Sequence, residues 1–248
     1  MSIDPGYGPQ PPIPVPQRRR YLAVVIPVVV VLVLALAVGV GLLARGAFAK
    51  QIAGTAVAAA GTSSVEHMQA DGSVRIGDAH AKVTVRVVMD LQCPYCKMFE
   101  ANNGTTLEKA VTDHTAAVEY SVITFLDRAS TTQYSSRAGN ASFCVANAGL
   151  GYYQKWLSAM FTQQPEEGSE GLTDAQLIQI AKTAGYTEDA VAQCITKRSY
   201  DTYLRTKTKE VLASGVNSTP TVTVNGKQVT DSTALMTLGG LAPLIAAG

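Results

Sequence analysis

Cys93 and Cys96, in Cys93-Pro94-Tyr95-Cys96, are the residues of this chain best suited to chemistry. Thiols two residues apart can close a disulfide between them, and the open pair can attack a disulfide elsewhere. The first cysteine is placed to attack and the second to resolve the mixed disulfide that forms. The thiolate does this work, so the setting must favour the ionised sulfur. At a helix N-terminus, unsatisfied backbone N–H groups and the helix dipole stabilise an anion. A cysteine there can fall from a free pKa of ~8.5 to roughly 3.5–7.5. Cys93 is therefore expected to be the exposed nucleophile, and Cys96, a turn into the helix, to be shielded.

The flanking sequence supplies that setting. Val83-Thr84-Val85-Arg86-Val87-Val88-Met89 is a β-branched run that reads as a buried strand. The composition from Lys97 to about Thr112 is helical. Two other readings compete. A zinc site needs four ligands, usually a second closely spaced pair. The remaining cysteines, Cys144 and Cys194, are far from each other and from the motif, and His67, His80 and His114 form no pair. No metal or other cofactor is expected. An inert structural disulfide fits the spacing but not the strand-to-helix position.

The N-terminal part is organised differently. Six prolines between Pro5 and Pro16 predict an extended tail, which ends in Arg18-Arg19-Arg20. Residues Tyr21 to Ala44 are uncharged and apolar. As a helix this run is roughly 36 Å long, enough to cross a bilayer core of roughly 30 Å with some tilt. Ala47-Phe48-Ala49 resembles a signal-peptide cleavage site, but a signal peptide's apolar core is usually only ~7–15 residues. The expectation is an uncleaved single-pass anchor over 21–44, with residues 1–20 cytoplasmic and the rest exported. Residues 45–73 are rich in Ala, Gly, Ser and Thr and read as a linker. The net charge of +1 and the lack of a basic face argue against a nucleic-acid partner.

A globular domain is expected over 74–248. Val74–Gly77 reads as a short edge strand, Val83–Met89 as a central one and Val118–Phe125 as the next, giving a parallel βαβ unit. Five helices follow, over Ser135–Ala148, Tyr152–Phe161, Asp174–Ala184, Glu188–Thr196 and Tyr200–Ala213. Thr173 with Gln176 forms a capping box, and Thr187 looks like another helix start. Gly185 and Gly215 look like helix stops. Trp156, Tyr152 and Tyr153 read as helix-packing aromatics, with a peptide groove as the alternative. Strand Thr221–Val224, the Asn225-Gly226 hairpin and a return strand over Gln228–Thr230 come late. A closing helix from Ser232 to Ala247 is interrupted at Gly239-Gly240 and Pro243.

Thr219-Pro220, just before that late strand, would ordinarily mark only a turn. Asp90-Leu91-Gln92-Cys93-Pro94-Tyr95-Cys96, together with Ser218-Thr219-Pro220-Thr221 and Val222-Thr223-Val224-Asn225-Gly226, resembles the DsbA family of exported thiol–disulfide oxidoreductases. The similarity is to the membrane-anchored branch of Gram-positive and actinobacterial cells. It implies a thioredoxin fold with a helical insertion over about 131–214, between the βαβ unit and a C-terminal ββα unit. It further implies Cys93 as nucleophile, Cys96 as resolving thiol, Pro220 as a cis-proline and Thr219 in contact with the active-site sulfurs and the substrate. Pro94 and Tyr95 complete the active-site loop. The implied activity is oxidation of exported proteins, with a DsbB-like or VKOR-like membrane protein as reoxidant. A reductase or isomerase of the same fold, or a non-catalytic binding module, is the alternative.

Two departures from the family pattern stand out. Its buried glutamate, six residues before the first cysteine, is replaced by Val87, and Asp90 is the nearer carboxylate. Tyr95 stands where many members have histidine, so a less oxidising couple is expected, between roughly −120 and −270 mV. Cys-Pro-Tyr-Cys is also a glutaredoxin motif, but Pro220 lies much farther along than a compact glutaredoxin needs. Four cysteines in an exported chain invite two disulfides. With one pair assigned to exchange, Cys144 is paired with Cys194 as a structural staple; two separate buried thiols are the alternative.

Overall fold

The computed structural model describes residues 67–248. The expected tail, the apolar span over 21–44 and most of the linker lie outside the described residues. Among the described residues no helix is long and apolar enough to cross a membrane.

Five strands form one sheet in the order β1-β3-β2-β4-β5: β1 Val74–Ile76, β2 Val83–Met89, β3 Ala116–Val122, β4 Thr221–Val224 and β5 Lys227–Gln228. Central β2 pairs parallel with β3 and antiparallel with β4, and β1 lies on the edge. Val83, Val85 and Val87 alternate into the core along β2, while Val88 and Met89 are both buried because helices cover both faces there. β3 starts two residues earlier than expected, since Ala116 and Ala117 pair with Val83 and Thr84. It stops at Val122 rather than Phe125 because its partner β2 stops at Met89.

The crossover between β2 and β3 is helix α1, Pro94–Thr112. It begins at Pro94, not Lys97, because proline's fixed φ and missing N–H suit the first turn. Cys96, Phe99, Glu100, Asn103, Leu107 and Ala110 form its buried face at helical spacing. The sheet and α1 therefore bury Cys96 as a consequence of where the helix begins.

The insertion holds α2 Tyr134–Ala148, α3 Tyr153–Thr162, α4 Asp174–Ala184, α5 Asp189–Lys197 and α6 Asp201–Ala213, after a short 3-10 turn at Asp127–Ala129 that the sequence did not signal. The Thr173/Gln176 capping box is present. The N-cap of α5 is Glu188 rather than Thr187, and it caps without a side-chain hydrogen bond. Trp156 and Tyr153 are fully buried in the core. Tyr152 is exposed and lies edge-on to Tyr186, with ring centroids 5.8 Å apart. Cys144 on α2 and Cys194 on α5 form a disulfide, with Cα atoms 5.8 Å apart. One turn before it, Asn140 accepts from Tyr200 N–H at 2.8 Å and donates towards the Cys194 and Ile195 carbonyls.

Asn225 and Gly226 both take positive φ, as a two-residue turn between β4 and β5 requires. The return strand occupies Lys227–Gln228, short of the expected Gln228–Thr230. The chain closes with α7 Ser232–Met236 and α8 Ala242–Ala246. Pro243 sits in the first turn of α8, where it starts a helix rather than interrupting one. Folded structure also begins before the expected Val74: Ser73 is buried, Met68 bridges to Val74, and Asp71 pairs with Arg86 of β2.

Candidate active site

Cys93 is the N-cap of α1, in extended conformation. Its N–H donates to the Asp90 carbonyl at 3.0 Å, closing the turn between β2 and α1. The backbone N–H groups of Tyr95 and Cys96 point at its sulfur, as a helix N-terminus dictates. Across the site the Thr219-Pro220 peptide is cis. Cys93 Sγ lies 3.4 Å from the Thr219 carbonyl oxygen. The Thr219 side chain lowers the pKa of both sulfurs. The structure thus brings together Cys93, Cys96, Thr219 and Pro220, from two parts of the chain more than a hundred residues apart.

The two thiols are electrostatically unequal. Hydrogen bonding from the Cys96 thiol, with help from Thr219 and the helix amides, pulls the Cys93 pKa down to about 6 despite its burial. Burial pushes Cys96 well above its ordinary value, and the neighbouring Cys93 charge adds to this. One sulfur is held as thiolate and the other as its proton donor.

The expectation of an exposed nucleophile needs correction. Cys93 is only 5% exposed, against 0% for Cys96. The loop at Thr219 lies against its sulfur, and the exposed residues of the motif are Pro94 and Tyr95. Tyr95 is 62% exposed, and Met98, two residues past Cys96, is also exposed.

Three residues that the sequence did not assign to the site hold its turn. Gln164, in the loop after α3, donates to the carbonyls of both Leu91 and Cys93 at 3.0 Å. Asp90 is fully buried at the end of β2 and accepts from Gln92 N–H, Leu126 N–H and Ser135 Oγ, each at 2.8 Å. Burial, with a smaller contribution from the Cys93 charge, pushes its pKa up to about 6. Ser135 and Gln164 belong to the insertion, which is why spacing around the cysteines could not signal them; only Asp90 is local. Val87 is buried in β2 and brings no carboxylate. Among the described residues no cluster of His, Cys, Asp or Glu could hold a metal ion.

Such a pair, one sulfur favoured as thiolate and one held protonated beneath a proline loop, has the chemistry that thiol–disulfide exchange requires. The chain belongs to the thioredoxin family: the family model described as thioredoxin matches residues 69–241. Within that family it is a thiol–disulfide oxidoreductase of the DsbA type. The reduced disulfide bond oxidoreductase DsbG of Mycobacterium tuberculosis superposes with a TM-score of 0.62 at 30% identity, covering 71% of this chain and 86% of that one. Reduced DsbA of the same organism gives 0.59 at 29% identity, covering 71% and 98%. MdbA of Actinomyces oris shares the fold, with a TM-score of 0.63 at 19% identity, covering 73% and 88%. The serine/threonine-protein kinase PknE of Mycobacterium tuberculosis is 34% identical over 136 residues, which make up 53% of this chain. The chain spans about a quarter of the length of the curated relatives it matches.

Proposed function

We propose that this protein is a membrane-anchored oxidase of exported proteins, acting on the extracytoplasmic side through Cys93 and Cys96. What supports this direction is the setting of Cys93 at the N-terminus of α1 beside the Cys96 thiol, which favours its thiolate. A pKa near 6 stabilises the reduced pair, and a stable reduced form makes the disulfide a willing electron acceptor. In the forward reaction a substrate thiolate attacks Cys93 Sγ of the closed pair and displaces Cys96. A second substrate thiolate then attacks the substrate sulfur of the mixed disulfide and releases Cys93 as thiolate. The substrate loses two electrons and the pair gains them. The exposed Tyr95 and Met98 beside the motif suit unfolded, apolar segments of a substrate.

Reoxidation requires an electron acceptor, which we assign to a DsbB-like or VKOR-like membrane protein on the strength of the family resemblance. The arginines at 18–20 and the apolar run from Tyr21 to Ala44 support an N-terminal anchor. The test is oxidation of a reduced, unfolded multi-cysteine protein by the purified full chain. Stoichiometric disulfide transfer that disappears in Cys93→Ala supports the proposal. A pair found mostly reduced in cells points instead to a reductase. The nearly complete cover over Cys93 favours a second reading, a binding module with idle thiols, for which Cys93→Ala leaves function unchanged.

A further inference from the structure

The cleft between α1 and α3 holds a carboxylate that the fold leaves unsatisfied. Glu100 on α1 is 8% exposed, and its Oε2 is buried without a hydrogen-bond partner. It lines a cavity of about 250 Å³ together with Gly104, Thr105 and Glu108 of α1 and Gln154, Lys155 and Ser158 of α3. A smaller cavity of about 80 Å³ shares Glu100 and Ser158 and continues the cleft to Lys97 and Phe161, near the cysteine end of α1. The Glu108 charge adds to the cost of ionising Glu100, and the nearby Tyr120 of β3 and Tyr153 of α3 are buried phenols. Lys97 and Lys155 line the cleft, yet neither pairs with Glu100. Gly104 makes room for the carboxylate. It stands inside α1, where glycine is disfavoured relative to alanine, and no positive φ requires it. A Cβ there would stand 2.7 Å from Glu100 Oε1.

The lining defines the ligand. Gln154 commits its amide nitrogen to the Tyr120 hydroxyl at 2.9 Å, which leaves its oxygen as an acceptor. With two carboxylates and the Thr105 and Ser158 hydroxyls, both walls offer acceptors to a cation. An ammonium has three diverging donors on a compact charge, and suits acceptors spread over two helices better than the planar fork of a guanidinium. The volume falls just below the roughly 300–1,000 Å³ of a site for a drug-sized molecule, so there is room for one amine side chain or a small free amine. We propose that this cleft binds an alkylammonium group, which gives Glu100 its missing partner and neutralises it together with Glu108. Glu100 lies about 10 Å along α1 from Cys93, at about 1.5 Å per residue. An extended peptide spans that in about three residues. A lysine near the cysteine of a substrate is one source of the ammonium, and a free amine is the other. The first source rests on the reading of Cys93/Cys96 as an exchanging pair, whereas the ammonium site does not.

The test titrates the full chain with n-butylammonium chloride at pH 8 and constant ionic strength, following the amide NMR signals of Thr105 and Ser158. Saturable shifts are expected. Binding should weaken about tenfold or more in Glu100→Gln, which removes the charged acceptor. It should fade as pH falls through about 7, where Glu100 takes up a proton while the amine stays charged. Gly104→Ala displaces the carboxylate and keeps its charge, so it should weaken binding as well. If Glu100→Gln fails to fold, Gly104→Ala decides. Shifts that do not saturate, equal binding of the neutral isostere n-butanol, or unchanged affinity in every folded variant overturn the proposal. Two peptides with one reduced cysteine, carrying lysine or norleucine three positions away, separate the sources when mixed with the oxidised protein. Faster exchange with the lysine peptide assigns the ammonium to substrates, and equal rates assign it to a free amine. If neither peptide exchanges while butylammonium still saturates, the exchange reading fails and the ammonium site stands.

Discussion

Cys93 Sγ faces the carbonyl oxygen of Thr219 at 3.4 Å, although the two residues are 126 positions apart in the chain. The contact, which the protonated Cys93 thiol makes as donor, joins the βαβ half of the sheet to its C-terminal half. It also explains why the reactive cysteine is covered: the loop that shapes the site is the loop that closes it.

The reduced protein should show one thiolate, with a midpoint near pH 6, and a second thiol that stays protonated far above it. Thiolate absorbance or the rate of alkylation against pH measures this. Because the folded pKa of Cys93 is depressed, its stabilisation of the reduced form is present above the unfolded value and is lost as pH falls through about 6. The reduced protein should therefore gain about 2–4 kcal/mol relative to the oxidised one between pH 5 and pH 9, the lower figure allowing for solvent near the sulfur. A constant difference over that range contradicts the assignment.

Gln164→Ala removes two hydrogen bonds to the carbonyls of Leu91 and Cys93 and leaves both acceptors inside the fold. The expected cost is about 1–3 kcal/mol in urea unfolding, with slower disulfide transfer because the turn carrying Cys93 loosens. Unaltered transfer kinetics would show that the turn holds its shape without this clamp.

Glu100 is buried one turn beyond Cys96, and its Oε2 has no hydrogen-bond partner. Burial, reinforced by the Glu108 charge, pushes its pKa from 4.5 to about 7. A raised folded pKa gives stability that is full below the unfolded value and is lost as pH rises through the folded one. Glu100→Gln should therefore be more stable than the wild type at pH 8, by up to about 3 kcal/mol, and no more stable at pH 4. Denaturant midpoints at the two pH values check this; an equal difference at both rules it out.

Replacing Cys144 and Cys194 together by serine opens a loop closed over a separation of 50 residues. The chain-entropy account gives a loss of about 4 kcal/mol, while disulfide transfer through Cys93 continues in the fraction that stays folded. Mass mapping after mild reduction should find this bond intact while the Cys93–Cys96 bond opens.

The sequence by itself determined the elements and the reacting pair. β-branched alternation marked β2, the cysteine spacing marked the reactive turn, and Thr173 with Gln176 placed the start of α4 to the residue. These are local signals, written in neighbours a few positions apart, and local propensity suffices to read them. The tertiary structure alone decided what surrounds the sulfur. The ends of β3 followed its partner strand rather than its own composition. The cover over Cys93, the clamp from Gln164 and the isolation of Asp90 all come from residues dozens of positions away, placed there by packing. Ionisation depends on burial and on donors within hydrogen-bond reach, quantities that exist only once the distant segments have met.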